Sequence, residues 1–359
     1  MAIPISSERR RHFLPQPEGV WVPVPCFMDF TTLPKIELHL HLDCSLSYAA
    51  VSRIDPSVTL QEYQQEFNGP PGRFTNLEEF FKRAPKGTAL MQTEGQIRLV
   101  TFDIFEQLRQ DNILYAEILL VPFMHTSQGL SAENVVEILD DAVARASSET
   151  GIEARIILST LRHYSTQQSL ATVKLVERFK GTHVAGVDLG AYEGGFPIYA
   201  HIPAFQYAAQ QGIPRTVHAG EARGAESVWE TLKHLRPSRV GHGVRSIEDP
   251  ALVEHLRKER IHLEICPTSN VQINLYESYA HHPINTFYES GVSLGVNTDT
   301  RMIANVTLTQ EYEKLHEVFG WDKRHFLQCN LNAIEAAFLP EDVKRHLAKQ
   351  VRAGYGTLG

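Results

Sequence analysis

The chain has 359 residues, 43% hydrophobic and 21% charged, with a formal net charge of −8. That is ordinary for a globular protein, and with no basic block beyond Arg9, Arg10 and Arg11 it argues against a nucleic-acid surface. No apolar stretch reaches the ~18 residues of a membrane span and no signal-peptide core opens the chain, so no membrane association and a cytoplasmic setting are expected.

Residues 1–33 read as a proline-rich N-terminal arm, and 34–359 as a single domain. Short apolar runs follow at 36–42, 113–121, 154–161, 184–189, 215–218, 239–242, 261–265 and 292–296. Helical patterns lie between most of them. Residues 131–151 open at Ser131 and close at Gly151, and 249–261 start on Asp249-Pro250. Strands alternating with helices argue for a parallel sheet covered by helices, and eight of them suggest closure into an α/β (β/α)8 TIM barrel. No Gly-x-Gly-x-x-Gly follows the first run, which speaks against a dinucleotide-binding open sheet. One connection, from Cys44 to about Asp111, is far longer than the rest; 75–84 and 94–110 within it read as helices. A helical insertion after strand 1 of such a barrel belongs on the C-terminal face and walls the active site. The tail, 339–354, reads as a last helix.

Four cysteines, Cys26, Cys44, Cys266 and Cys329, share no short spacing and are expected as reduced thiols. Histidine is abundant, at 17 residues, and its placement carries the chemistry.

In "ELHLHLD" (37–43) strand alternation puts His39, His41 and Asp43 on one face and three leucines on the other. Two histidines on one inward face suit a metal; an exposed edge strand is the alternative. In "RTVHAGE" (215–221) His218 ends a strand and Glu221 follows; Glu221 alone reads as the cap of the next helix. His242 lies between Gly241 and Gly243, which suits either a presented side chain or a plain turn. Asp299, in "NTDTRM" (297–302), alone reads as a helix cap. Together these strand ends would deliver His39, His41, His218 and Asp299 to one barrel face, as nitrogen and oxygen ligands for Zn²⁺ or a similar ion. Eight other histidines (His12, His125, His163, His183, His201, His234 and the pair His281-His282) read as surface or structural. Phe123 and Met124, just past the second strand, could touch a substrate.

The combination of "PKIELHLHLD" (34–43), "HAGE" (218–221), "RVGHG" (239–243), "EICPTSN" (264–270), "NTD" (297–299) and "LNAIEAAFLPED" (331–342) resembles the adenosine deaminase family of the amidohydrolase superfamily. The resemblance runs from about residue 34 to the end. It implies the (β/α)8 barrel, one Zn²⁺ on His39, His41, His218 and Asp299, and hydrolytic deamination of a small-molecule aminopurine nucleoside to the 6-oxopurine plus ammonia. Glu221 would then be the proton donor to purine N1, and His242 would orient the attacking water. Asp43 would contact the ribose 5′-hydroxyl, Ala191 would present backbone to the purine, and Leu77, Phe80 and Phe81 would form an apolar wall. The chain departs from the family pattern at Thr300, where a second aspartate is usual, at Cys44, where glycine is usual, and at Ala191, also usually glycine. Thr300 leaves open another amino-heterocycle: adenine, an N6-substituted adenine or a futalosine-type nucleoside. A non-catalytic barrel that only binds is the remaining alternative; every position named for chemistry is, however, filled.

Overall fold

The computed structural model describes residues 28–70, 72–75, 79–80 and 82–356, and the antiparallel pair Phe13–Leu14 and Val22–Pro23. Leu77 and Phe81 lie outside the described residues, as does most of the 1–33 arm.

Eight parallel strands carry the functional face: β1 Lys35–His41, β2 Ile113–Leu120, β3 Glu153–Leu161, β4 Val184–Gly190, β5 Thr216–Ala219, β6 Arg239–His242, β7 His262–Ile265 and β8 Leu294–Val296. Each falls within two residues of a run read from the sequence. They form two four-stranded parallel ladders, β1-β2-β3-β4 and β5-β6-β7-β8. Helices alternate with them, several started by capping boxes such as Thr93/Gln96, Ser131/Asn134 and Thr307/Gln310. The chain is therefore an α/β protein with parallel sheets.

The two ladders meet at both edges. The Val187 N–H donates to the Pro214 carbonyl at 3.1 Å. On the other edge the His41 N–H donates to the Asp299 carbonyl at 2.8 Å, and the Asp299 N–H to the His39 carbonyl at 3.1 Å. Strand β8 is only three residues long. Side-chain amides complete this seam: Asn297 Oδ1 accepts from the Leu38 N–H and Asn330 Oδ1 from the Ile36 N–H, each at 2.8 Å.

Alternation in β1 is as the sequence suggests. Leu38 and Leu40 are buried in the hydrophobic core, whereas Glu37, His39 and His41 face the opposite way into a polar interior. Every charge there is partnered, as burial demands. Arg301 bridges Glu37 (2.6 Å) and Asp111 (2.8 Å). Arg239 contacts Glu117 and, at 2.7 Å, Glu264. Lys35 Nζ donates to the carbonyls of Phe30, Leu33 and Asp111 at 2.7–2.9 Å.

One expectation changes. The strand stops at His41, where its last seam bond is made, and a 3-10 turn, Leu42–Cys44, rather than strand alternation brings Asp43 to the site. The helix read at 75–84 falls partly outside the described residues, and Glu79 and Phe80 within it are helical. A further helix is Ala84–Ala89, with Pro85 in its first turn, where a missing N–H costs least. That helix lies hard against the end of β1: a Cβ on Gly87 would sit 1.9 Å from the Asp43 carbonyl oxygen, so only glycine fits. The insertion also ties across to the far side, Gly69 N–H to the Ile303 carbonyl (2.7 Å) and Phe74 N–H to the Gln272 carbonyl (2.8 Å).

Candidate active site

The C-terminal ends of the strands open into a cavity of about 320 Å³, within the range that holds small molecules. His41, Asp43, Cys44, Phe80, Ala191, His218, Glu221, His242, Asp299 and Thr300 all line it. The sequence had spread these residues over 260 positions; the fold brings them to one wall.

At the floor, imidazole nitrogens and a carboxylate converge. His41 Nε2 lies 3.2 Å from His218 Nε2 and 3.4 Å from Asp299 Oδ1; His39 Nε2 lies 3.5 Å from the same oxygen. Such spacings match the edge, ~3.4 Å, of a tetrahedron whose arms are the ~2.1 Å of a zinc–nitrogen bond. His39 Nε2 is buried and has no hydrogen-bond partner. A buried lone pair left unpaired among other donors is what a cation would satisfy. His39, His41 and His218, or His39 and Asp299 with His242, are close enough to hold one ion.

Carboxylates behind the histidines fix which nitrogen faces inward. Glu264 Oε2 accepts from His39 Nδ1 and Asp188 Oδ1 from His218 Nδ1, each at 2.9 Å. The opposite nitrogens thus present lone pairs to the centre. Burial, with the neighbouring imidazoles of His39 and His218, pushes the His41 pKa down to about 4, so the His41 ring is neutral. Burial alone would raise the Asp299 carboxyl, but the neighbouring imidazoles, His39 first and then His41 and His242, hold it well below the usual range.

The helix-cap alternative for Asp299 does not hold. Thr300, not Asp299, precedes the helix Arg301–Ala304, and no side chain caps it. Asp299 Oδ2 instead accepts from Ser269 Oγ at 2.6 Å. Glu221 is no cap either: Gly224 precedes the helix Ala225–His234, and Glu221 Oε1 accepts from Asn270 Nδ2 at 3.2 Å. Burial, then the charges of Asp299 and Glu193, raise its pKa to about 8, so its carboxyl holds a proton at neutral pH.

His242 Nε2 faces Glu221 Oε1 at 3.5 Å. Its tautomer follows from a chain of donors. The Ile284 N–H donates to His282 Nδ1, His282 Nε2 to Asn270 Oδ1, and Asn270 Nδ2 to His242 Nδ1. The ring hydrogen of a neutral His242 is then on Nε2, pointing at the site. Burial keeps the ring neutral, pushing its pKa well below the usual value.

Three residues here hold left-handed backbone: Ala191 (φ +74°), His242 (φ +59°) and Asp299 (φ +64°). Non-glycine residues pay for that conformation, and the surrounding contacts keep them in it. Thr300 Oγ1 is buried with no partner. Asp43 Oδ2 accepts from Thr88 Oγ1 at 3.1 Å, with His125 Nε2 3.7 Å away.

Several residues were missed. Asp188 and Glu264 are single acids inside apolar strands, a signal the sequence did carry. Asn270 closes the "EICPTSN" stretch (264–270) but had no role assigned there, and Glu193 had none either. His163, read as surface or structural, lines the cavity, as does Met124. His201 and His282 are buried structural groups, and His125 stands behind Asp43. Cys44, Cys266 and Cys329 are free thiols.

Comparison with known proteins points one way. The adenosine deaminase of Clostridium acetobutylicum is 32% identical over 325 residues, covering 89% of this chain and 97% of that protein. The structure of adenine deaminase from Arthrobacter aurescens matches with a TM-score of 0.82 at 27% identity, covering 89% of this chain and 98% of the other. The N6-methyl-AMP deaminase of Arabidopsis thaliana shares the fold, with a TM-score of 0.80 at 24% identity over 90% and 97% of the two chains. With the site geometry, these likenesses make the chain a metal-dependent hydrolytic deaminase. It belongs to the adenosine deaminase family, whose model matches residues 34–354.

Proposed function

We propose that the protein is a zinc-dependent aminohydrolase converting adenosine, or a closely related 6-aminopurine nucleoside, to the 6-oxopurine and ammonia. The observation that carries this is one cavity wall with two kinds of group: converging histidine and aspartate donors, and beside them a carboxyl that stays protonated. The two bridged ladders are read as a closed (β/α)8 barrel spanning residues 34–359, with 1–33 as an arm. The absence, among the described residues, of a helix long and apolar enough to cross a membrane is compatible with a cytoplasmic enzyme.

His39, His41, His218 and Asp299 would hold the ion, and three imidazoles with one carboxylate suit Zn²⁺. When bound, the ion lowers the pKa of a water so that it can attack near neutral pH. The remaining work falls to the chain's own residues. Glu221 donates its proton to ring N1, which breaks aromaticity and makes C6 electrophilic. His242, through its Nε2 hydrogen, holds the attacking water in place. Ala191 offers backbone to the ring, Asp43 takes the ribose 5′-hydroxyl, and Phe80 packs over the nucleoside. Leu77 and Phe81 are assigned to the same wall.

Thr300 favours a second reading, in which deamination is kept and the heterocycle changes. Its unpartnered hydroxyl stands where the family usually has an acid, and a hydroxyl can donate to N7 or accept from another group. Adenine, an N6-substituted adenine or a futalosine-type nucleoside are the candidates. An ammonia-release screen across aminopurines, with metal analysis of the same sample, tests both readings. Turnover of adenosine with about one zinc per chain supports the first; activity only on another heterocycle supports the second. A fully metallated protein that deaminates nothing would sink both.

A further inference from the structure

Glu193 has no contact with substrate in the reading above, where only its charge bears on Glu221, yet its carboxylate collects more hydrogen bonds than any group at the site. Oε1 accepts from the Gly220 N–H at 2.9 Å and from Ser227 Oγ; Oε2 accepts from the N–H groups of Glu221 (3.0 Å), Ala222 (2.9 Å) and Arg223 (2.9 Å). Four successive backbone amides wrapped on one anion form a nest. Here the anion is supplied by the chain itself, from the loop after β4. Gly220 makes the wrap possible: its φ is +67°, and a Cβ there would meet Val228 Cγ2 at 2.5 Å.

Arg162 locks the carboxylate from behind. Its guanidinium is buried, 3.8 Å from Glu193 Oε1, and donates to the His218 carbonyl at 2.7 Å and the Phe196 carbonyl at 3.2 Å. One ion pair thus grips three things: the 191–196 loop, the end of β5, and the turn that carries Glu221. Glu193 is only two residues from Ala191, which lines the cavity.

We infer that Glu193 is a positioning residue: it holds the Glu221 turn at a fixed distance from the Ala191 loop, so that the proton donor meets the ring bound against that loop. The inference rests on the deaminase reading of Glu221. A carboxylate with four amides is a rigid joint, whereas a neutral amide there would place its NH₂ against backbone donors. Removing the joint should misplace the acid while leaving the His39–His41–His218–Asp299 floor intact, and a misplacement of about 1 Å can cost ~100-fold in rate.

The test is Glu193→Gln in the full-length, metal-loaded protein, assayed on the best 6-aminopurine nucleoside. The expected result is a fall in kcat of about 10–100-fold with KM within about threefold and metal content unchanged. A nucleoside lacking ring N1, such as 1-deazaadenosine, has no atom for Glu221 to protonate, and its inhibition constant should not move. Unchanged kcat would overturn the inference. So would loss of metal or of 1-deazaadenosine binding in step with kcat, the mark of a merely structural role. If Glu193→Gln does not fold, Ser227→Ala removes one donor of the same joint; a fall of about two- to fivefold in kcat at constant KM supports the inference, and no fall overturns it. Should the wild type deaminate no nucleoside, the functional reading fails separately. The joint is still read by hydrogen exchange: the amides of 220–223 should exchange faster in Glu193→Gln than in wild type, and equal rates would overturn it.

Discussion

The floor of the cavity and its rim are built in opposite ways. Four groups at the floor are braced from behind: His39 by Glu264, His218 by Asp188, Asp299 by Ser269, and Glu221 by Asn270. The rim differs in kind. Phe80, Met124, Tyr192 and Thr300 line it, with Met124 and Tyr192 exposed and Thr300 Oγ1 without a partner. A braced floor fixes a reaction; a more exposed rim leaves the choice of substrate open to small changes. This division is why the chemistry follows from the site more closely than the heterocycle does.

The sharpest way to break that contrast is Glu221→Gln, which keeps the shape and removes the acid. Activity should fall about 10²–10⁴-fold with metal retained, measured by ammonia release. A loss under tenfold would move the proton donor elsewhere. Next in size is a brace: Asp188→Asn leaves every cavity-lining side chain in place but loosens His218. Metal affinity should drop about 10–100-fold in a chelator competition, with activity restored by excess metal. The acidity of the floor predicts a pH effect. As the proposed proton donor, Glu221 would act only while protonated, and its raised pKa of about 8 keeps it so at neutral pH; the rate should therefore fall as pH rises through that range, about tenfold per unit beyond it. A bound cation stabilises the ionised form, so the same fall begins at lower pH in the metal-loaded enzyme. A rate that climbed from pH 7 to 9 would contradict the assignment. The smallest effect belongs to the rim: Thr300→Asp should change the ratio of kcat/KM between adenosine and its 7-deaza analogue by about two- to tenfold, through one hydrogen bond. An unchanged ratio would mean Thr300 does not read the ring.

Much of this arrangement was legible in the sequence. The strands were, because apolar runs of four to nine residues between helical patterns leave few options. His39 and His41 were, because alternation against leucines marks an inward face. Asp299 and Glu221 gained their roles only in combination, since each alone imitates a cap. What stayed hidden acts across distance. Glu264 meets His39 from 225 residues away and Glu193 meets the 220–223 turn from about 30 residues away, and no local pattern joins them. Glu117, Asp188 and Glu264 still left a trace, as lone acids in strands otherwise fit for a dry core. The separate helix Ala84–Ala89 was not read, because an apolar stripe carries no information about which turn Pro85 would begin.

The seam at Asp299 has a consequence for folding. His39 and His41 come from the first ladder, His218 and Asp299 from the second, and the backbone of Asp299 is itself the bridge between them. An ion held by these four would be a cross-link between the two halves of the chain. At a free concentration 100 times its dissociation constant it would add about 2.7 kcal/mol to stability. Stripping the metal would then do more than stop turnover: it would unfasten the molecule along the line where β1 meets the three-residue strand β8.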